Sequence, residues 1–152
     1  MMRVLFKILM CWCLFSSWAL VGCAQEQPPK KDKQINFIED AWPEALKKAA
    51  AQNKYVFVDA YATWCGPCKM LKATTFKNNK AAAFFNQNFI NVSIDMEKGL
   101  GPQLAQQWQI QAYPTLIIFN AQGKPVLGTV GYLGAQDLMR FGQQALDKDK
   151  GI

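Results

Sequence analysis

Cys65 and Cys68 are the side chains best placed to do chemistry in this 152-residue sequence. They stand in Trp64-Cys65-Gly66-Pro67-Cys68, two residues apart. Thiol–disulfide exchange needs one accessible thiolate of lowered pKa to attack, and a second thiol close by to release the mixed disulfide that forms. If a helix begins at this motif, Cys65 falls at its start, where unpaired backbone N–H groups and the macrodipole favour the thiolate. Cys68, one turn in, lies on the same side but shielded, which suits a resolving thiol. Pro67 fits the first turn because it has no N–H to leave unsatisfied, and Gly66 lets the chain bend between the sulfurs. Trp64 adds a flat apolar surface on which a protein disulfide can dock.

Other uses of such a pair have weaker support. A zinc site usually takes four ligands, yet the chain has no histidine and no second cysteine pair beyond residue 23. Zinc would therefore need carboxylates or a dimer, so no metal is expected, and no cofactor beyond the dithiol itself. A purely structural disulfide closing so short a loop adds little stability, because the entropic gain grows with loop length. A domain of this size also builds its core without a staple.

Asp59 is the third candidate. It sits near the end of the apolar run Tyr55-Val56-Phe57-Val58-Asp59-Ala60-Tyr61, six residues before Cys65. Folded under the active-site helix, its carboxyl would be buried, with a raised pKa, and able to take the proton of Cys68. A solvent-facing aspartate at a strand end is the alternative.

The elements that must position these groups are legible in outline. Asp40 can cap a helix starting near Ala41, with Trp42, Ala45, Leu46 and Ala49 apolar at helical spacing, Glu44 and Lys48 an i,i+4 pair, and Asn53 closing it. Residues 55–61 read as a central strand covered on both faces. A helix from about Cys65 toward Phe76 and a further turn or two over 81–85 follow. Residues 89–95 form a second core strand. Gly99 and Gly101-Pro102 mark a loop before a short helix over 104–108. Residues 115–119 form a third strand, Asn120-Ala121-Gln122-Gly123 a turn, 125–131 a glycine-marked edge strand, and 135–145 the last helix. The order is α-β-α-β-α-β-β-α. Helices between the first three strands imply crossover connections and covered sheet faces, and the tight link between the last two implies an antiparallel hairpin.

The N-terminus reads as an address. Arg3 and Lys7 precede a mostly apolar tract over 4–21 that ends in Leu20-Val21-Gly22-Cys23. Residues 1–22 are thus expected to be a signal peptide, 23–36 a flexible polar tether, and 37–152 one domain. Cys11 and Cys13 lie in the leader, which leaves Cys65 and Cys68 as the free thiols of the mature domain if Cys23 is acylated. The formal charge is +6, and without Arg3 and Lys7 it falls to about +4. No basic stripe or aromatic interleaving accompanies it, so a nucleic-acid partner is not expected.

Two resemblances add to this reading. Leu20-Val21-Gly22-Cys23 resembles the lipobox of bacterial lipoproteins, in which the cysteine carries lipid, and Ala24 after it is compatible with outer-membrane sorting. Several acyl chains hold a protein at a bilayer where one is marginal. Trp64-Cys65-Gly66-Pro67-Cys68-Lys69 looks like the active-site motif of thioredoxin, and the surrounding features match over roughly 37–146. The resemblance implies the thioredoxin fold: α/β, with a mixed central sheet of four to five strands and helices on both faces. It puts Asp59 where thioredoxins carry a buried aspartate and Pro114 where they carry a cis-proline against the C-x-x-C. Tyr113 would offer backbone hydrogen bonds to a bound substrate chain, and Gly131 would keep the docking rim open. The longer segment over 69–85 is similar to the periplasmic C-terminal domain of DsbD and to thioredoxin-like lipoproteins of Gram-negative bacteria. The lysine that thioredoxins commonly bury in the second core strand has no counterpart over 90–94.

The expected activity is therefore a thiol–disulfide oxidoreductase that reduces or exchanges disulfides of exported proteins. It would be a monomer, lipid-anchored on the periplasmic side of the inner or outer membrane and recharged by a membrane electron donor. A net oxidant or isomerase, and a thioredoxin-fold binding module without turnover, are the alternatives.

Overall fold

The computed structural model describes residues 33–148. The signal segment, Cys11, Cys13, Cys23 and most of the tether lie outside the described residues. Its last part does not: Ile35 is buried, and its N–H donates to the Phe76 carbonyl at 2.8 Å. The domain thus begins two residues before the expected boundary at 37, because an isoleucine there can join the core.

The elements are β1 (Ile38–Glu39), α1 (Trp42–Gln52), β2 (Tyr55–Tyr61), α2 (Gly66–Ala73), a 3-10 turn (Thr75–Lys77), α3 (Asn79–Asn88), β3 (Phe89–Asp95), α4 (Gly101–Gln107), β4 (Thr115–Phe119), β5 (Pro125–Val130) and α5 (Ala135–Lys148). The five strands form one sheet in the order β1-β3-β2-β4-β5. Strands β2, β3 and β4 fall where their apolar runs predicted, and β5 is an edge strand hairpinned to β4. Two-residue β1 was not foreseen; so short a strand has no periodicity to read.

Side-chain alternation along β2 sorts the core into two layers. Val56, Val58 and Ala60 pack with Trp42, Ala45 and Ala49 of α1 and Leu104 of α4. Phe57 points the other way, toward Leu71 of α2, Phe76, Phe85 of α3, and Leu138 and Phe141 of α5. Burying side chains of this kind contributes roughly 1.5–3 kcal/mol each, and the sheet is covered on both faces.

Other expectations need correction. Asp40 does not cap α1: the cap position is Ala41, with no side-chain bond. Asp40 instead adopts φ 52° and accepts the Asp95 N–H at 2.7 Å, bridging to the end of β3. Gly101-Pro102 opens α4 rather than a loop, since proline is favoured at a helix start. The helix over 79–88 and the last helix run longer than expected. Of the two crossovers expected among the three long strands only β2 to β3 is parallel, and β4 runs antiparallel to β2; β1 to β2 through α1 is a second parallel crossover, passing over β3. The connection through α4 leaves from and returns to the same end of the sheet, so it reverses the chain.

Gly101 is fixed by this turn. A Cβ there would stand 2.0 Å from the Asp95 carbonyl oxygen and 2.7 Å from the Met96 Cα, both backbone atoms that cannot swing aside. Gly101→Ala is expected to lower unfolding stability by about 2 kcal/mol or more in urea denaturation, the scale of forced overpacking.

Candidate active site

Strand β2 delivers the chain to the sheet's end at Tyr61, and a short loop returns it as α2. Cys65 is the N-cap of that helix, with extended backbone, and its sulfur accepts the Cys68 N–H at 3.2 Å. Pro67 lies in the first turn, where its missing N–H costs nothing. The two sulfurs are joined as a disulfide, 2.02 Å apart. Each cysteine is 2% exposed, so Cys65 does not stand open in this oxidised state as expected. The two sulfurs differ in backbone setting, not in burial. Cys65 caps the helix; Cys68 lies within it and lines a cleft of about 200 Å³ with Tyr61, Ala62, Thr63, Lys69 and Lys72.

Around the disulfide, Tyr113 packs against Ala62, Cys65 and Cys68. The Tyr113–Pro114 peptide bond is cis. The Gly131 N–H donates to the Pro114 carbonyl at 2.8 Å, which ties the end of β5 to this loop. Gly131 adopts φ +100°, a conformation other residues rarely adopt, and the space over it is open. Trp64 is 66% exposed and meets the Tyr113 ring edge-on at 5.9 Å. Val130, paired with Thr115, and Tyr132 are also exposed, so an apolar rim runs from Trp64 and Tyr113 along the end of β5.

Asp59 is fully buried on the α2 face of the sheet, the face that Phe57 also takes. The Ser93 hydroxyl donates to its Oδ2 at 2.9 Å; Oδ1 has no hydrogen-bond partner. Burial raises its pKa from 3.8 to about 6, only partly offset by the Ser93 bond and the Lys72 charge, while Glu39 pushes it further up. Such a group can hold or release a proton near neutral pH. The structure thus brings Asp59, Trp64, Cys65, Gly66, Pro67, Cys68, Tyr113, Pro114 and Gly131 to one end of the sheet.

Three residues were missed by sequence reasoning. The Trp64 indole N–H donates to the Glu97 carboxylate at 2.8 Å, a contact across 33 residues with no local signal. The Tyr132 hydroxyl meets Thr74 and Thr75 at the end of α2, which joins the rim to the helix. Lys72 lines the Cys68 cleft, and its place one helical turn after Cys68 could have revealed it. Among the described residues, no three Cys, Asp or Glu side chains converge as a metal site.

A family model described as a thioredoxin-like domain matches residues 42–146, most of the chain. The chain belongs to the thioredoxin-like family. A thioredoxin-like protein of Synechocystis is 40% identical over 91 residues, 60% of this chain and 81% of that one. A candidate disulphide isomerase from Bacteroides thetaiotaomicron has a solution structure with TM-score 0.68 and 40% identity, covering 78% of this chain and 98% of that one. A thioredoxin from Thermus thermophilus, at 18% identity, shares the fold with TM-score 0.67 over 75% of this chain and 90% of that one. Fold, family and the Cys65–Cys68 pair make this thioredoxin-like chain a disulfide oxidoreductase.

The Asp59 carboxyl has a consequence for stability. Its pKa is higher folded than unfolded, so the folded state binds more protons between pH 3.8 and about 6. The stability it supplies is full below pH 3.8 and is lost as pH rises through about 6. Asp59→Asn, which cannot ionise, is expected to be more stable than the parent by about 2–3 kcal/mol at pH 7.5. That gain should vanish toward pH 4 when denaturant midpoints are measured across pH.

Proposed function

We propose that this protein reduces or exchanges disulfides of exported proteins through a mixed disulfide at Cys65 that Cys68 resolves. The observation that carries the reading is the Cys65 sulfur accepting the Cys68 N–H at the start of α2. A sulfur so placed gains most from a negative charge, so Cys65 is the attacking thiolate. In the reductive direction Cys65 attacks a substrate disulfide, one substrate thiolate leaves, and Cys65 stays bonded to the other sulfur. Asp59 then takes the proton of Cys68, and the Cys68 thiolate attacks Cys65. The second substrate thiolate leaves, and the pair ends as the disulfide. Two electrons have passed from the cysteines to the substrate. Trp64, Gly66, Pro67, the Tyr113 backbone, Pro114 and Gly131 form the surface on which the substrate chain lies, and the pair itself carries the electrons.

The tract over 1–22 and the Leu20-Val21-Gly22-Cys23 run support export and lipid anchorage at Cys23, on the periplasmic face of the inner or outer membrane. The polar composition over 23–33 supports a tether from which a monomeric domain reaches its substrates. Because an oxidising compartment drains electrons from the pair, a membrane donor must restore the dithiol. Gly66-Pro67 is the thioredoxin-type dipeptide, and thioredoxin lies near −270 mV against about −120 mV for DsbA. The relative described as a candidate disulphide isomerase favours a second reading, isomerase activity, which calls for a potential near the −180 mV of protein disulfide isomerase.

Equilibration of the full chain against redox buffers should give about −250 mV or lower; a value above about −150 mV would make it an oxidant instead. Cys68→Ser should accumulate mixed disulfides through Cys65, and Cys65→Ser should abolish insulin reduction. Recovery of the same partners through Cys68 in the Cys65→Ser protein would reverse the two roles.

A further inference from the structure

From Ala60 to Ile94 the sequence contains no aspartate or glutamate, yet Lys69, Lys72, Lys77 and Lys80 fall within it. Spread over twelve residues they form no run, but the fold gathers three of them. Lys69 and Lys72 line the cleft beside Cys68, and Lys72 and Lys77 line a groove of about 430 Å³ along α2 and the turn after it. Lys69 and Lys77 are exposed and Lys72 is half-buried. Among the described residues none of the three has a carboxylate within ion-pair distance. The ion pairs, Lys48–Glu44, Lys98–Asp95 and Arg140–Asp137, lie elsewhere. Glu39 lines the same groove, and Asp40 beside it is bonded to the Asp95 N–H, so cations outnumber acids on this side.

The chain enters the domain at this groove. Gln34, Ile35, Asn36 and Phe37 form its other wall, held by the Ile35 N–H on the Phe76 carbonyl and by the Asn86 amide on the Gln34 carbonyl at 3.0 Å. Exposed Lys33 precedes that wall, and Lys30 and Lys31 precede it in the sequence. Ile35 follows Cys23 by twelve positions, a stretch that spans at most about 40 Å however it is arranged.

We propose that this lysine face is a docking surface for an anionic bilayer: with Cys23 anchored, Lys69, Lys72 and Lys77 settle on phospholipid headgroups around the point where the chain enters. The proposal rests on the reading that Cys23 anchors the chain. Two observations select a membrane as the occupant. The face carries one sign of charge, and it surrounds the end of the domain that the anchor holds closest. A cation is drawn to an anionic surface within about a Debye length, roughly 10 Å at 0.1 M salt, and a short link keeps the headgroups at high local concentration. Phe37 and Glu39 place the face on the β1 side of the sheet. Tyr113, Pro114 and Gly131 flank β4 and β5, beyond β2, so docking leaves the substrate rim open to water.

The test uses the full chain with its own N-terminus, reconstituted into vesicles of phosphatidylcholine alone or of phosphatidylcholine and phosphatidylglycerol in equal parts. Flotation with the neutral vesicles reports the anchor. Lysine acetylation by uncharged N-hydroxysuccinimidyl acetate, followed residue by residue by mass spectrometry, reports the face. Lys69, Lys72 and Lys77 should react about threefold to tenfold more slowly in anionic than in neutral vesicles, and about 0.5 M salt should remove the difference. Lys47 on α1 and Lys124 in the β4–β5 turn, both exposed, should react alike in the two vesicles. Lys69→Glu with Lys77→Glu should abolish the protection of Lys72 without changing flotation, and Lys47→Glu with Lys124→Glu should leave it intact.

Equal rates at Lys69, Lys72 and Lys77 in the two vesicles, with flotation in both, would overturn the docking face and leave the anchor standing. Slowing of Lys47 and Lys124 by the same factor would overturn it as well, since the bilayer would then select no face. Failure to float with neutral vesicles would remove the anchor and this proposal with it. The salt titration of the unsubstituted chain needs no variant, and matching melting curves show whether the charge-reversed proteins are folded.

Discussion

The site depends on one constraint: β2 has a strand on each edge and a helical layer on each face, so nothing along its middle reaches water. A carboxyl at Asp59 has no exit. It must share the space under α2 with one hydroxyl donor, and one of its oxygens goes without a partner. Burial opposes its charge more strongly than Ser93 and Lys72 favour it, and the pKa of the carboxyl stands at about 6, above the usual carboxylate range. A core built only for stability would place an apolar side chain there. The aspartate makes sense as a proton-holding group next to a reaction that moves protons.

The same strand sets the position of the sulfurs. Where β2 ends, α2 must begin within a few residues to cover the sheet, and its start puts Cys65 at the cap and Cys68 in the first turn. The reversal through α4 makes β4 run back along β2, and the β4–β5 hairpin returns the chain once more. Tyr113-Pro114 at the start of β4 and Gly131 after β5 therefore reach the end of the sheet where β2 and β3 finish. A wholly parallel sheet would have sent the start of β4 to the opposite end. The antiparallel step, missed in the sequence, is what brings Tyr113-Pro114 and Gly131 to the end of the sheet that carries the cysteines.

Much of this was legible because it is written locally. Residues 55–61 and 115–119 are mostly apolar runs of strand length, 89–95 mixes apolar with polar residues at the same length, and the structure makes each of them a strand with the same limits. The helix start at the cysteine motif follows from Pro67 and the spacing of the two sulfurs. What stayed hidden is non-local or too short for a period. Two-residue β1 has none, and the direction of β4 depends on where α4 lets the chain re-enter. The partner of Trp64 is 33 residues away. Asp40 has the residue type of a helix cap, but tertiary structure uses its carboxylate to hold the Asp95 N–H instead. A local propensity gave way to a bond to the end of β3, as local propensities do when packing offers more.

Lys72 supplies from a helix a charge that Asp59 feels in the sheet. What Asp59 requires is a positive charge near enough to be felt through protein, and nothing in that requirement names the strand or helix that supplies it. A lysine within β3 would have to bury its ammonium fully, at high desolvation cost. From α2 the charge stays half-exposed over the Tyr61 ring and still acts on the carboxyl. Because α2 begins at Cys65 and carries Cys68, the cation and both sulfurs are set by one element, and the Asp59 carboxyl faces it from the sheet below. Any shift of α2 against β2 would change the distance from Asp59 to Lys72 and to Cys68 together, which couples the proton affinity of that carboxyl to the seating of the cysteine pair.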